Sequence, residues 1–146
     1  MNYAGIGHCF NKIDSDKSLI KIPSQTTKIS LSSFCDETQS DNLFTKHNRT
    51  MIELYKEVFG FHFRVMEAAT EQLEAFAYKR FDIEAWVPSK NEFIKVAETI
   101  HCADYPASRL NALYINKHNK RYPLHMIHSE VCSIETILMI TMEYHS

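Results

Sequence analysis

The stretch Phe81 to Pro88, Phe-Asp-Ile-Glu-Ala-Trp-Val-Pro, constrains the fold more than any other part of the chain. Apolar and polar residues alternate strictly, which is the two-residue period of a strand with one buried face. Phe81, Ile83, Ala85 and Val87 share one side, and Asp82, Glu84 and Trp86 share the other. Pro88 ends the strand because it has no N–H for a ladder. One side is wholly apolar; the other carries two carboxylates and the only tryptophan. Such a strand belongs to a sheet that packs on helices behind and floors a cleft in front.

The chain has 146 residues, the length of one domain, with 45% hydrophobic and 23% charged residues, so a packed core is expected. The 16 Lys and Arg are scattered and the net charge is −2. On that balance the chain carries no electrostatic footprint for nucleic acid. Cys9, Cys35, Cys102 and Cys132 form no CxxC pair, which favours reduced thiols over a disulfide framework. No apolar run is long enough to span a membrane. The opening residues are neither a signal peptide nor an Arg-rich transit peptide. The first residues read as starting in mid-strand and the last as stopping in mid-helix, so a truncated chain is expected.

Residues 3 to 10 read as a strand, 11 to 24 as a long polar loop, and Thr26 to Phe34 as a strand returning antiparallel to the first. A polar loop over Cys35 to Ser40 leads to a helix capped by Ser40 or Asp41 and ended by Gly60. Its apolar residues recur at steps of three and four, a core face that includes His47. Phe61 to Glu67 reads as a strand, Glu71 to Lys79 as a helix or helical turn, and Phe93 to Ile100 as a strand. Lys95 and Glu98 interrupt the alternation of that last strand. One helical turn over 104–108 precedes a hairpin of Arg109 to Ile115 and Tyr122 to His128 around a polar loop. A final helix, capped by Ser129 with Glu130 in its first turn, has so wide an apolar face that burial in the middle of the domain is expected. The fold class is α+β: a mainly antiparallel sheet flanked by helices.

These residues resemble the seryl-tRNA synthetase family of class II aminoacyl-tRNA synthetases, in its mitochondrial form. His62 to Met66 is similar to the family's "hFRV" strand, and Tyr78 to Pro88 to "YRKFDIEAWMP". His101 to Asn111 is similar to "NCTDFQSRRLN", and His125 to Glu143 to the motif 3 run "HTVNATACAVPRLLIALLE". Gly7 to Asn11 resembles "SRCFR" of motif 2, and Thr27 to Ile29 its returning "TKVE" strand. The resemblance implies that residues 1–146 are the C-terminal part of a class II catalytic domain, with a motif 2 remnant at about 5–34 and a motif 3 remnant at about 122–145. Motif 1 and the tRNA-gripping coiled-coil arm have no counterpart in it.

The family activates serine with ATP and Mg²⁺, a reaction that needs cations and a metal around a triphosphate. The resemblance places the motif 2 arginine of the α-phosphate on Asn11 and the glutamate two residues later on Ile13. The motif 3 arginine falls on Thr136, beside Glu135; the Mg²⁺-carrying glutamate falls on Lys95 and its partner serine on Glu98. In the serine pocket a glutamate falls on Ser30, and the motif 3 asparagine and threonine fall on His128 and Glu130. Asp82, Glu84, Trp86 and Arg109 are implied to be retained framework. A charge-assisted hydrogen bond to phosphate contributes about 1.5–3 kcal/mol, and a catalytic donor is worth on the order of 10²–10³ in rate. Losing every such group at once predicts no catalytic residue here and no bound ATP or Mg²⁺.

His101, Cys102, His125 and His128 do not have a metal-ligand spacing, and residues three apart on a strand point to opposite faces, so no metal site is expected. Cys132 near His128 reads as a packed thiol rather than a nucleophile. The expected function is a catalytically degenerate, mitochondrial member of the family in an interaction or regulatory role. Its expected partner is another synthetase-like chain or a mitochondrial protein, with tRNA binding disfavoured without the arm and no membrane association. The alternatives are a divergent serine–tRNA ligase and, against the charge balance, an RNA-binding module.

Overall fold

The computed structural model describes residues 1–10 and 25–145. The expected 11–24 loop, with Asn11 and Ile13, lies outside them. Eight strands are described: β1 (Asn2–Phe10), β2 (Gln25–Cys35), β3 (Phe63–Glu67), β4 (Lys79–Val87), β5 (Glu92–His101), β6 (Leu113–Ile115), β7 (Arg121–Pro123) and β8 (His125–Ser133). Three α-helices accompany them: α1 (Glu37–Glu53), α2 (Tyr105–Leu110) and α3 (Ile134–His145). Six strands form one sheet in the order β1-β2-β8-β5-β4-β3, antiparallel at every pairing. β6 and β7 form a separate two-stranded sheet.

β4 sits as its alternation dictates. Ile83, Ala85 and Val87 are buried, in one core with Met51, Tyr55, Phe61, Val96, Ala97 and Ile140. On the other side Trp86 meets Phe93 edge-to-face at 5.0 Å. Pro88 opens a single 3-10 turn, and Asn91 in the left-handed region (φ 54°) turns the chain into β5.

α1 begins four residues earlier than its apolar pattern suggests. Asp36, not Ser40 or Asp41, is the N-cap: its carboxylate accepts the Gln39 N–H at 3.1 Å. Asp36 and Gln39 have the spacing of a capping box, and Ser40 is buried inside the helix. The helix runs into a π-helical turn, Leu54–Phe59, and ends at Gly60, whose φ of 66° suits a residue without Cβ.

Three further expectations are corrected. Over 71–79 only a 3-10 turn, Thr70–Gln72, forms, since this short stretch buries no residue of that turn and leads directly into β4. The expected 109–128 hairpin is shorter: Arg109 lies in α2, and residues from His125 onward form β8 in the middle of the main sheet. The final helix therefore begins at Ile134, not Ser129. The fully buried Ser129 hydroxyl bonds His47 Nδ1 at 2.8 Å and Thr99 Oγ1 at 3.1 Å, so it holds α1 and β5 to β8 rather than capping a helix. Nor is α3 buried all round. Ile140 is buried, whereas Ile134, Leu138 and Met142 form an exposed stripe at four-residue steps, because only one side of the helix meets the sheet.

Candidate functional site

Two β-bulges shape the face of the sheet where the predicted positions gather. Ile83 pairs with Ala97 and Glu84 with Lys95, leaving Val96 as an extra residue on β5. Ile29 pairs with Cys132 and Ser30 with Glu130, leaving Val131 extra on β8. The wholly buried Tyr55 points its hydroxyl at both bulges, 3.3 Å from Val96 O and 3.0 Å from Val131 O. The π-helical turn thus supplies a donor to the two backbone carbonyls where the ladders are broken. It also explains the interrupted alternation: the extra residue brings Lys95 and Glu98 onto one side of the sheet.

The bulges open a cavity of about 350 Å³ lined by Lys28, Lys95, Glu98, Glu130, Ser133 and Thr136, among others. Four predicted positions, Lys95, Glu98, Glu130 and Thr136, therefore meet in one cleft. Ser30 is the register partner of Glu130 at its edge. His128 is on β8 two positions back, and its Nδ1 lies 2.9 Å from Ser32 Oγ. A second hollow, of about 580 Å³ beside Glu74, Tyr78 and Arg80, has one predicted position near it, Asp82, through Arg80.

Cross-strand register sets the electrostatics of the cleft. Asp82 pairs with Glu98, and Glu98 with Glu130, so three carboxylates lie in a row across β4, β5 and β8. Like charges directly opposite one another repel. Three cations offset the repulsion. Lys28 reaches Glu130 at 2.7 Å; Lys95 contacts Glu98 and lies 3.0 Å from Asp82; Arg80 lies 3.2 Å from Asp82 and 2.7 Å from Glu74. Burial alone would lower the Lys95 pKa, but its contacts with Glu98 and Asp82 outweigh this and hold it above the ordinary lysine value. Arg80 is raised likewise, burial being outweighed by Asp82 and Glu74. Every cation in the row already faces a carboxylate.

The remaining predicted residues are placed as follows. Glu84 pairs with Arg64 on β3 at 2.6 Å, and Arg109 stacks over the Tyr105 ring at 3.3 Å on α2, away from the cleft. Glu135, beside Thr136, accepts the Thr27 N–H at 2.9 Å and the Ser133 hydroxyl at 2.9 Å. Its own backbone N–H and that of Thr27, with Ser133, outweigh burial and bring its pKa to about 2, so it ties β2 to the start of α3. Cys132 lies on β8, not in a helix; burial, then Glu130, raises its thiol pKa, the environment of a packed thiol. The rings of His101 and His125 meet edge-to-face at 6.0 Å. Among the described residues no group of three or more His, Cys, Asp or Glu could hold a metal ion.

Sequence reasoning missed Lys28, Arg80 and Tyr55. Lys28 and Arg80 carried a signal, since each occupies a position in a quoted family strand, but a cation's partner across strands depends on register. Tyr55 sat within a helical apolar stripe that hid its hydroxyl.

Residues 1–145 match the family described as the tRNA synthetase class II core domain (G, H, P, S and T). The serine–tRNA ligase of Treponema pallidum is 31% identical over 151 residues, covering 97% of this chain and 34% of that protein. The mitochondrial serine–tRNA ligase of Mus musculus is 29% identical over 105 residues, 72% of this chain and 20% of its own length. The structure of seryl-tRNA synthetase from Pyrococcus horikoshii complexed with ATP superposes on the whole chain with a TM-score of 0.92 at 25% identity, over 34% of its own length. The chain spans about a third of the length of the bacterial and archaeal relatives.

Proposed function

The chain belongs to the class II tRNA synthetase core-domain family, and from that premise we propose that it is a catalytically degenerate, seryl-tRNA synthetase-like protein of mitochondria that acts by association rather than by aminoacylation. The observation that supports this most is the charge row in the cleft. A triphosphate with Mg²⁺ needs unpaired cations for its oxygens and a carboxylate for the metal. Here Lys28, Lys95 and Arg80 are each engaged by Glu130, Glu98, Asp82 or Glu74. A polyanion entering this cleft must displace those carboxylates and then face them. The position that resemblance gives to the metal-carrying glutamate is a lysine, Lys95. These donors do not fit ATP and Mg²⁺.

The mitochondrial part of the proposal is supported by the resemblance and by the mitochondrial relatives of mouse and cattle, alongside bacterial ones. Association with another synthetase-like chain or a mitochondrial protein is the use left to a sheet that keeps its framework without its cation clamp. Serine-dependent ATP–pyrophosphate exchange by the purified protein tests the proposal: no exchange above the serine-free background is expected, and serine-stimulated exchange overturns it. Cofractionation of a tagged protein with mitochondria tests the compartment. A second reading, a divergent serine–tRNA ligase, draws on one observation: the whole chain superposes on a relative whose structure was determined with ATP. Serine-stimulated exchange would favour it.

A further inference from the structure

The near-neutral charge of the whole chain hides a local asymmetry. Residues 105–129 contain Arg109, Lys117, Lys120 and Arg121 but no Asp or Glu, although 18 acidic residues are distributed over the rest of the chain. This segment forms α2 and the β6–β7 hairpin, which has its own small sheet beside the main one. The hairpin tip is well built. Asn116 Oδ1 accepts the N–H groups of His118 and Lys120, at 2.9 and 3.0 Å, and Asn119 adopts the left-handed conformation with φ 58°. Lys117, His118 and Lys120 are exposed at the tip. Among the described residues none of Arg109, Lys117, Lys120 and Arg121 forms an ion pair with a carboxylate.

The two faces of the hairpin differ. Tyr114 and Tyr122 stack on one another at 5.6 Å on one face, and burial, then the carboxylate of Asp36 with Tyr122 and Glu37, raises the Tyr114 hydroxyl pKa. Leu113 and Ile115 alternate onto the opposite face, across from Pro123 and Arg121. Leu113 is 40% exposed, Ile115 60% and Leu110 in the adjoining helix 79%. Large aliphatic side chains open to solvent and bordered by cations are the composition of a surface that lies on an anionic bilayer. A single-stranded RNA site would instead present aromatic faces for stacking; here the Tyr114 and Tyr122 rings stack on each other, with Tyr122 40% exposed.

We propose that the β6–β7 hairpin with α2 is a peripheral membrane contact, seating Leu110, Leu113 and Ile115 at the headgroup boundary of an anionic lipid bilayer while Lys117, Lys120 and Arg121 meet lipid phosphates. No helix of the described residues is long and apolar enough to cross a membrane, and none is needed for a contact of this kind.

The test is cosedimentation of the purified protein with vesicles of phosphatidylcholine containing about one third phosphatidylglycerol, a composition chosen for its negative surface potential. Binding to these vesicles, absent with pure phosphatidylcholine and lost as salt rises, is expected. Replacing Lys117 and Lys120 with serine should weaken it on the order of tenfold. L113S/I115S should abolish it with the thermal unfolding midpoint unchanged, all four positions being at the surface. Binding that is equal on neutral vesicles, absent on anionic ones, or untouched by both variants overturns the proposal. So does a hairpin-dependent affinity for a uridine oligonucleotide in place of vesicles.

Discussion

Lys95 is the residue on which the cleft turns. Its ammonium lies between Glu98 and Asp82, and without it the carboxylate row across β4, β5 and β8 keeps only Lys28 and Arg80. The Lys95 side chain is 43% exposed, so solvent screens part of its worth. Replacing Lys95 with methionine should destabilise the fold by about 1–2 kcal/mol in denaturant unfolding, mainly through carboxylates left facing one another. Adding Glu98→Gln should recover part of that loss. Full additivity of the two substitutions would show that the pair is not coupled. His47 and His101 govern the acid limb. Burial holds both imidazoles below the ordinary 6.5, His128 and Lys46 adding to the effect at His47. The unfolded chain therefore binds protons that the folded chain refuses. Their stabilisation is complete above about pH 6.5 and is lost as pH falls below it toward the depressed folded values. His47→Gln, which removes one of these groups, should flatten the dependence of the urea midpoint on pH between about 5 and 7. Glu135 acts lower on the scale: its contribution is present above 4.5 and is lost as pH falls toward about 2, so Glu135→Gln should lower stability throughout the range above 4.5 and remove the pH dependence between 4.5 and about 2.

At the scale of elements, the π-helical turn and the two bulges form one device. Tyr55 sets a single hydroxyl against both Val96 O and Val131 O. Tyr55→Phe keeps the ring packing and leaves those carbonyls without their donor, so a loss of about 1–3 kcal/mol at an unchanged m-value is expected. At the start of α1, Asp36→Ala should lower the unfolding midpoint by removing the N-cap, and Asp41→Ala, which removes only the exposed pair with Lys79, should lower it less. These elements also show what could be read from the chain. β4 was legible because its buried side repeats every second residue, as was the end of α1 because Gly60 marks it. β8 was not. His125 to Ser133 sits in the middle of the sheet between β2 and β5, so both its edges are occupied, its buried positions include Ser129 and Ser133, and Ser129 followed by Glu130 imitates a helix start. The width of the α3 apolar face suggested burial, but apolar residues spread around most of a helix do not say which side meets the sheet. The gathering of Lys95, Glu98, Glu130 and Thr136 followed from the resemblance. The pairing of Glu130 with Lys28 did not, because it depends on a bulge that shifts register by one residue.

For the molecule as a whole, the architecture and the charges point to different histories. Six antiparallel strands and their helices keep the class II scaffold among the described residues. The cleft that the scaffold presents is self-neutralised: its cations are held by its own carboxylates. Away from it, the acid-free segment at 105–129 carries Arg109, Lys117, Lys120 and Arg121, which form no ion pair among the described residues. On the proposed reading, function moves from the cleft to surfaces. The most direct test of the central claim is calorimetric titration of the purified protein with ATP in the presence of Mg²⁺. No measurable heat of specific binding is the result predicted for a cleft whose lysines are already paired. Saturable, metal-dependent binding of ATP would contradict it.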